Sequence, residues 1–514
     1  MSHTAPRADQ EDLTPSQLVV LLASILVVAL CGIAYELIIG TVSSYLLGNS
    51  VYQFSITIGL FMFAMGLGAY LSKLLVTELV TGFVLIEIAV SLVGGLCSLV
   101  LFLVFPYFSF YRPVMYTLIV VIGALVGLEI PILTRVLTLK QSLRFSIAHV
   151  LSLDYVGALI GSIAFPLVLL PHLGLFRSSF AIGLLNILVA LFNVHVFQRT
   201  LRRPGLIAVL CGAVALALIA CTVAATKIGS FAEGRLFADD IVFRHQSPYQ
   251  RIVVTKSPVN GELRLYLDGH LQFCDRDEHR YHEALVHPVM SASGNRDRVL
   301  ILGGGDGMAA REVLKYPDVK TIDLVDIDPV ITDMSKDFPV IRRANQDSLR
   351  DPKVRIHHDD AFVFVRQSRD KFQRVIIDLP DPHNEGLCKL YSAEFYKMLS
   401  GCMDQGAMLT TQSSSPFYTR EVFWSIAKTL QAAGFSTHSY HVAIPTFGIW
   451  GFTLAAKDGP APNDFKITVP TRFLTRETMV AASIFGRDVG PTEVPVNTLF
   501  EPKLYQLYLK ALER

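Results

Sequence analysis

The chain has 514 residues, of which 52% are hydrophobic and only 17% charged. A soluble domain usually carries about 25% charged residues, so a single water-soluble globule is excluded. Forty-five basic against 44 acidic residues leave a formal net charge of +1, too little for a global field that would gather nucleic acid.

A polar tail occupies 1–15. From Ser16 to Thr226 apolar runs of about 20 residues follow one another, near 16–40, 53–75, 81–104, 114–135, 149–171, 176–197 and 204–226. Each is long enough to cross a hydrocarbon core of roughly 30 Å. The spacing predicts a multi-pass α-helical membrane domain of about seven helices over 16–226; a cleaved signal peptide would explain only the first run. Glu36, Glu87, Glu129 and Asp154 lie inside these runs, where ionisable groups are costly and face a bundle interior. They read either as an acid-lined path for cations or as hydrogen-bonded ties between helices. Gly157 and Gly161 suit close helix packing. Basic residues around Arg135, Lys140 and Arg144, and around Arg199, Arg202 and Arg203, mark two loops as cytoplasmic. With seven spans that rule puts the C-terminal half outside. The seven cysteines (Cys31, Cys97, Cys211, Cys221, Cys274, Cys388, Cys402) form no CxxC pair and no zinc spacing, which predicts buried thiols and no metal site.

Beyond Lys227 short β-rich runs alternate with amphipathic stretches. A small β subdomain is expected over 227–290, with strands Arg251–Thr255 and Leu263–Leu267 about the turn Ser257–Gly261. Over 291–514 the strands Val299–Leu302, Thr321–Val325, Val354–His357, Arg374–Ile377 and Ala407–Thr411 alternate with helices. That pattern predicts a Rossmann-like, mostly parallel, doubly wound sheet.

Val299–Leu302 runs into Gly303-Gly304-Gly305-Asp306-Gly307, and a helical pattern opens at Met308. A glycine turn at a helix N-terminus lets backbone N–H groups approach a nucleotide, though it also serves as a plain connection. Asp326, ending the next strand about 20 residues on, stands where such sheets place a ribose-binding carboxylate. No P-loop lysine follows the glycines, so a triphosphate is not expected. Asp360, in Asp359-Asp360-Ala361-Phe362, reads equally as an acceptor for an adenine amino group or as a helix N-cap. Asp378 and Asp381, in Asp378-Leu379-Pro380-Asp381-Pro382, end a buried strand. Such a pair suits a cationic amine, one carboxylate pairing an ammonium and the other accepting a proton; a capped turn is the alternative.

Together these residues resemble the aminopropyltransferase family, spermidine synthase and its relatives. The motifs Tyr249-Gln250, Tyr281-His282-Glu283, Gly303–Gly307, Asp326-Ile327-Asp328 and Asp378–Pro382 agree in order and spacing, followed by Leu390–Tyr396, across roughly Ser247 to Lys457. The resemblance implies a class I methyltransferase-like fold and transfer of an aminopropyl group from decarboxylated S-adenosylmethionine, a co-substrate, to putrescine, with no cofactor or metal. It implies that Gln250 contacts the methylthioadenosine part of the donor, Asp326 its ribose, and Asp360 with Ala361 its adenine. His282, Asp306 and Asp381 would lie along the amine channel beside Tyr281, and Asp378 would accept the proton. Asp306 would attract the ammonium of the decarboxylated donor and repel the carboxylate of the intact one. Two places depart from the family pattern: His383–Cys388 stands where a Gly-Pro loop is usual, and Met308-Ala309-Ala310 follows the glycines. The resemblance to membrane-attached bacterial relatives further implies a lipid bilayer as partner, a cytoplasmic catalytic domain, an acid path suited to polyamines, and a homo-oligomer. The rival readings are another amine acceptor, such as spermidine or agmatine, and a non-catalytic polyamine sensor or transporter. Retention of both Asp378 and Asp381 speaks against a mere binder.

Overall fold

A computed structural model describes residues 14–47, 50–105, 107–138, 142–234 and 237–512. All but the last two residues of the expected polar tail, and Lys140 in the first basic loop, lie outside them. The chain divides into two compact units, Met1–Ile241 and Val242–Arg514.

Among the described residues seven long helices build the first unit: α1 Pro15–Leu47, α2 Ser50–Leu71, α3 Leu79–Val104, α4 Phe108–Thr138, α5 Leu143–Ala164, α6 Leu170–Val196 and α7 Pro204–Gly234. By length and composition they form six stretches able to cross a membrane, because Leu143–Val196 is one run of 54 residues. This run contains a π-helical turn at Phe165–Leu169 and a break at Gly174, where φ is +68°, a conformation open to glycine. Its two legs run in opposite directions. A Cβ on Gly157 would meet the Leu26 carbonyl oxygen at 2.2 Å and one on Gly161 that of Leu30 at 2.6 Å, so α5 climbs alongside α1. By contrast Cys31 lies against the Ile182 carbonyl and Ser24 against Asn193, so α6 descends it. The predicted end at 226 falls inside α7, which no proline or glycine pair interrupts before Gly234. Glu36, Glu87 and Glu129 are buried, while Asp154 is half-buried. Among the described residues no other side chain or backbone group donates to either oxygen of Glu87 or to Oε1 of Glu129; the two buried carboxyls act on each other.

The second unit starts with a four-stranded sheet in the order β1-β2-β3-β4: β1 Asp240–Gln246, β2 Arg251–Lys256, β3 Leu263–Leu267 and β4 His270–Cys274. β1 and β4 go beyond the two strands that the sequence predicts here. β1 offers only Ile241 and Phe243 on its apolar face before Arg244 and His245, and β4 mixes His270 and Gln272 into its five residues. A seven-stranded sheet follows: β5 Arg298–Gly303, β6 Thr321–Val325, β7 Val354–His357, β8 Phe372–Asp378, β9 Met403–Gln412, β10 Ser436–Ile444 and β11 Gly448–Ala456. Its order is β10-β11-β9-β8-β5-β6-β7. The first five strands pair in parallel and β10 and β11 antiparallel, so the sheet is mixed, mostly parallel with an antiparallel edge. Helix α8, Glu278–Ser291, packs Ala284, Leu285 and Val289 against Val299, Ile301 and Ile376 of this sheet. The expected subdomain limit at 290 therefore moves to about Asp277, since the apolar face of α8 is buried by the larger sheet. Strand order reverses between β5 and β8, which opens a crevice at their carboxyl ends.

Candidate active site

Residues 303–307 leave β5 as a glycine turn and enter helix α9, Met308–Leu314. Gly303 pairs with Asp378 in register, and a Cβ on Gly303 would lie 2.1 Å from the Asp378 carbonyl oxygen, at a φ of +82°. Only glycine fits there. Asp306 then turns back, its Oδ1 accepting the Met308 N–H at 2.8 Å. At the end of β6, Asp326 accepts from the Gly305 N–H at 2.9 Å and from the Asp328 N–H at 3.0 Å. Asp328 in turn accepts from the Gln250 amide at 2.9 Å and from the Ser247 hydroxyl at 2.7 Å, which fixes the loop before β2 over the same edge.

These elements enclose a cavity of about 610 Å³, and all nine residues singled out from the sequence line it: Gln250, Tyr281, His282, Asp306, Asp326, Asp360, Ala361, Asp378 and Asp381. Seven aspartates and one lysine face the space. Such a wall favours cations. The lysine, Lys389, pairs with Asp360 Oδ2 at 2.6 Å, while Asp360 Oδ1 caps the helix Ala361–Gln367 by accepting from Phe362 N–H at 2.8 Å. The N-cap reading of Asp360 thus holds, at the rim of the same cavity.

Asp378 closes β8. Its Oδ1 accepts the Tyr281 hydroxyl at 2.8 Å. Burial pushes its carboxyl up to about 6, with Asp306 adding to the rise while His282 and the Tyr281 hydrogen bond oppose it. Asp381 is pushed up to about 6 by burial as well, against hydrogen bonds from Gln412 and Ser414. Asp326 reaches about 6 from the same cause. Burial alone would neutralise His282, but the carboxylate of Glu278, 2.8 Å from Nδ1, outweighs it and raises the imidazole to about 9. The third member of the Tyr281-His282-Glu283 motif points elsewhere. Glu283 accepts the backbone N–H groups of Arg472, Phe473 and Leu474 at 2.6, 2.9 and 2.8 Å.

Sequence reasoning missed several wall residues. Ser414 holds a φ of +65°, unusual for a side-chain-bearing residue, and its hydroxyl donates to Asp381 Oδ2 at 3.2 Å. His270 on β4 stacks on His383, with ring centroids 4.5 Å apart; His383 belongs to the loop that departs from the family pattern. Burial, then the neighbouring His270, pushes His383 down to about 4. Among the described residues no group of three or more His, Cys, Asp or Glu could hold a metal ion.

A protein of Leptospira interrogans named polyamine aminopropyltransferase is 41% identical to this chain over 489 residues, 94% of this chain and 97% of its own. The chain belongs to the polyamine aminopropyltransferase family. Polyamine aminopropyltransferase 1 of Ralstonia nicotianae is likewise 41% identical, over 98% of both chains. The similarity to these aminopropyltransferases therefore extends through the helical unit. The Spermine/spermidine synthase domain matches residues 278–466, the stretch holding eight of the nine residues above. A solved spermidine synthase from Thermotoga maritima is 26% identical, covering 52% of this chain and 88% of its own, with a TM-score of 0.44. As an aminopropyltransferase the chain is a transferase.

Proposed function

We propose that this aminopropyltransferase makes spermidine and methylthioadenosine from putrescine and decarboxylated S-adenosylmethionine. The amine lone pair attacks the aminopropyl carbon bound to the sulfonium, a C–N bond forms, and the C–S bond breaks with its electron pair going to sulfur. The nitrogen gives up one proton. An alkylammonium with a pKa of about 10.4 holds its proton at pH 7, so a base is needed at the site. Asp378 takes that role. Asp378 ends β8 inside the cavity with its Oδ1 on the Tyr281 hydroxyl at 2.8 Å, and this placement carries the reading most directly; the raised carboxyl narrows the gap to the ammonium. His282, Asp306, Asp381 and Tyr281 line the amine path, while Gln250, Asp326, Asp360 and Ala361 hold the nucleoside. Asp306 selects the decarboxylated donor by charge. Everything else is positioning.

The same reading places the helical unit in the cell membrane. Met62, Phe63, Leu216 and Val223 are each more than 60% exposed on its helices, a pattern that suits lipid rather than water. The catalytic unit faces the cytoplasm, where the donor is available, although seven crossings and the basic loops favour the outside. A reporter fused after Arg514 and active only in the periplasm overturns that orientation.

Detergent-purified protein, given the donor and a panel of amines and followed by mass spectrometry, tests the acceptor. Spermidine from putrescine supports it. Product only from spermidine or agmatine replaces the acceptor, and donor binding without turnover points to a sensor.

A further inference from the structure

A line of buried charges runs behind the cavity without touching it. Glu278, 3% exposed and absent from the cavity wall, grips Arg311 through two parallel hydrogen bonds, Nη1 to Oε1 and Nη2 to Oε2, both 2.9 Å. Arg311 reaches Glu312 through Nε at 2.9 Å, and Glu312 is held in turn by His287 at 2.8 Å and Lys315 at 2.6 Å. Among the described residues the Glu278 carboxylate has one further partner, the His282 imidazole, and His282 does line the cavity.

The geometry fixes the histidine. Nδ1 of His282 lies 2.8 Å from Glu278 Oε2 and 2.9 Å from the Glu278 backbone oxygen. Both are acceptors, so Nδ1 carries hydrogen. The charged groups acting on the ring are Glu278 from its own helix, Asp306 from the glycine turn and Asp378 from β8; Tyr281 stands edge-on to it at 5.0 Å. Three carboxylates around one imidazole favour its doubly protonated form. Burial works against the charge of Glu278, yet His282 and Arg311 bring its carboxyl down to about 2, so its own charge persists across the working pH range.

We propose that Glu278, braced by Arg311, is a positioning residue that holds His282 as a cation facing Asp306 and Asp378, and so keeps Asp378 ionised and able to accept a proton at neutral pH. Without that cation, Asp378 would sit in an acid-walled pocket beside Asp306, and like charges would favour its protonated form. The cation also disfavours binding of a second ammonium next to Asp378, which favours the neutral amine as nucleophile. The proposal rests on Asp378 being the proton acceptor.

The test is the pH profile of amine-dependent kcat/KM at saturating donor for the full chain, Glu278→Gln, His282→Gln and the double variant. The acid limb is expected to move up by about one pH unit in each single variant, a loss of about fivefold in rate at pH 6 that approaches tenfold at lower pH, and no further in the double variant. A Glu278→Gln profile that keeps the original limb while His282→Gln shifts it overturns the positioning role. Full amine-dependent turnover in Asp378→Asn instead removes the reading on which the proposal rests. Because Glu278→Gln leaves Arg311 short of a partner and could fail to fold, the unmodified chain gives a second measurement. Labelled-histidine NMR, with the His282 signal identified by its loss in His282→Gln, is expected to show imidazolium through pH 8. A titration midpoint near 6.5, the ordinary histidine value, overturns the proposal.

Discussion

The Tyr281 hydroxyl donates to Oδ1 of Asp378 across 2.8 Å, tying helix α8 to the end of β8. The bond favours the ionised carboxylate, against the burial that favours the acid. Tyr281→Phe removes the donor and leaves the ring. A hydrogen bond to a charged group contributes about 1.5–3 kcal/mol, and its loss raises the Asp378 carboxyl by about one to two pH units, so kcat/KM at pH 7 should fall about two- to fifteenfold. The loss should shrink at pH 8.5, where Asp378 is ionised either way. A loss equal at both pH values contradicts this account.

The unaltered chain should lose activity as the pH falls through about 6. Asp378 and Asp381 are both raised from 3.8 to about 6, so each is protonated below that pH and ionised above it. If both must be ionised, log kcat/KM for the amine falls with a slope approaching 2 on the acid side. A limb near pH 4 would mean that neither raised carboxyl takes part.

Two glycines of the turn should fail in different ways. Gly303→Ala meets the Asp378 carbonyl oxygen at 2.1 Å from a left-handed φ, so it should lower stability by on the order of 3 kcal/mol or more, seen in thermal denaturation. Gly305 has no such φ, but a Cβ there comes 2.5 Å from Asp326 Oδ2. Gly305→Ala should keep the fold and raise the donor KM about tenfold, equivalent to about 1.4 kcal/mol.

Glu283 provides a contrast within the same motif. Glu283→Ala strips the acceptor from three backbone N–H groups at 472–474, each costing about 1 kcal/mol or more when left unpaired. Thermal stability should drop, while the acid limb of the pH profile stays in place. A shifted limb would show Glu283 acting on the chemistry.

The parallel strands are legible because β5, β6 and β8 each end in a short apolar run, Val299–Leu302, Leu324–Val325 and Val375–Ile377, that leads into a glycine or an aspartate, a local signal. Strands β10 and β11 escaped notice: Ser436–Ile444 mixes histidines, serines and threonines with its apolar residues, and their pairing with β9 is visible only in three dimensions. The candidate site was legible for the same reason as β5 and β6, since each aspartate sits at a strand end where chain direction alone brings it to the crevice. His270 and His383 lie over 100 positions apart, and neither stands in a recognisable motif. Arg311 reads as an ordinary helix residue until α8 is packed against α9. The break at Gly174 falls between the apolar runs near 149–171 and 176–197, although Leu143–Val196 is continuous in length and composition.

The central claim is that Asp378 accepts the proton of the attacking amine. Asp378→Asn keeps the size of the side chain and removes its basicity, so the decisive measurement is methylthioadenosine formation with saturating putrescine, beside donor binding by calorimetry. The account predicts that donor affinity stays within about threefold while turnover falls by about a thousandfold, in the range of 10²–10⁴ typical for a lost general base. Turnover of Asp378→Asn near that of the unaltered chain would contradict it.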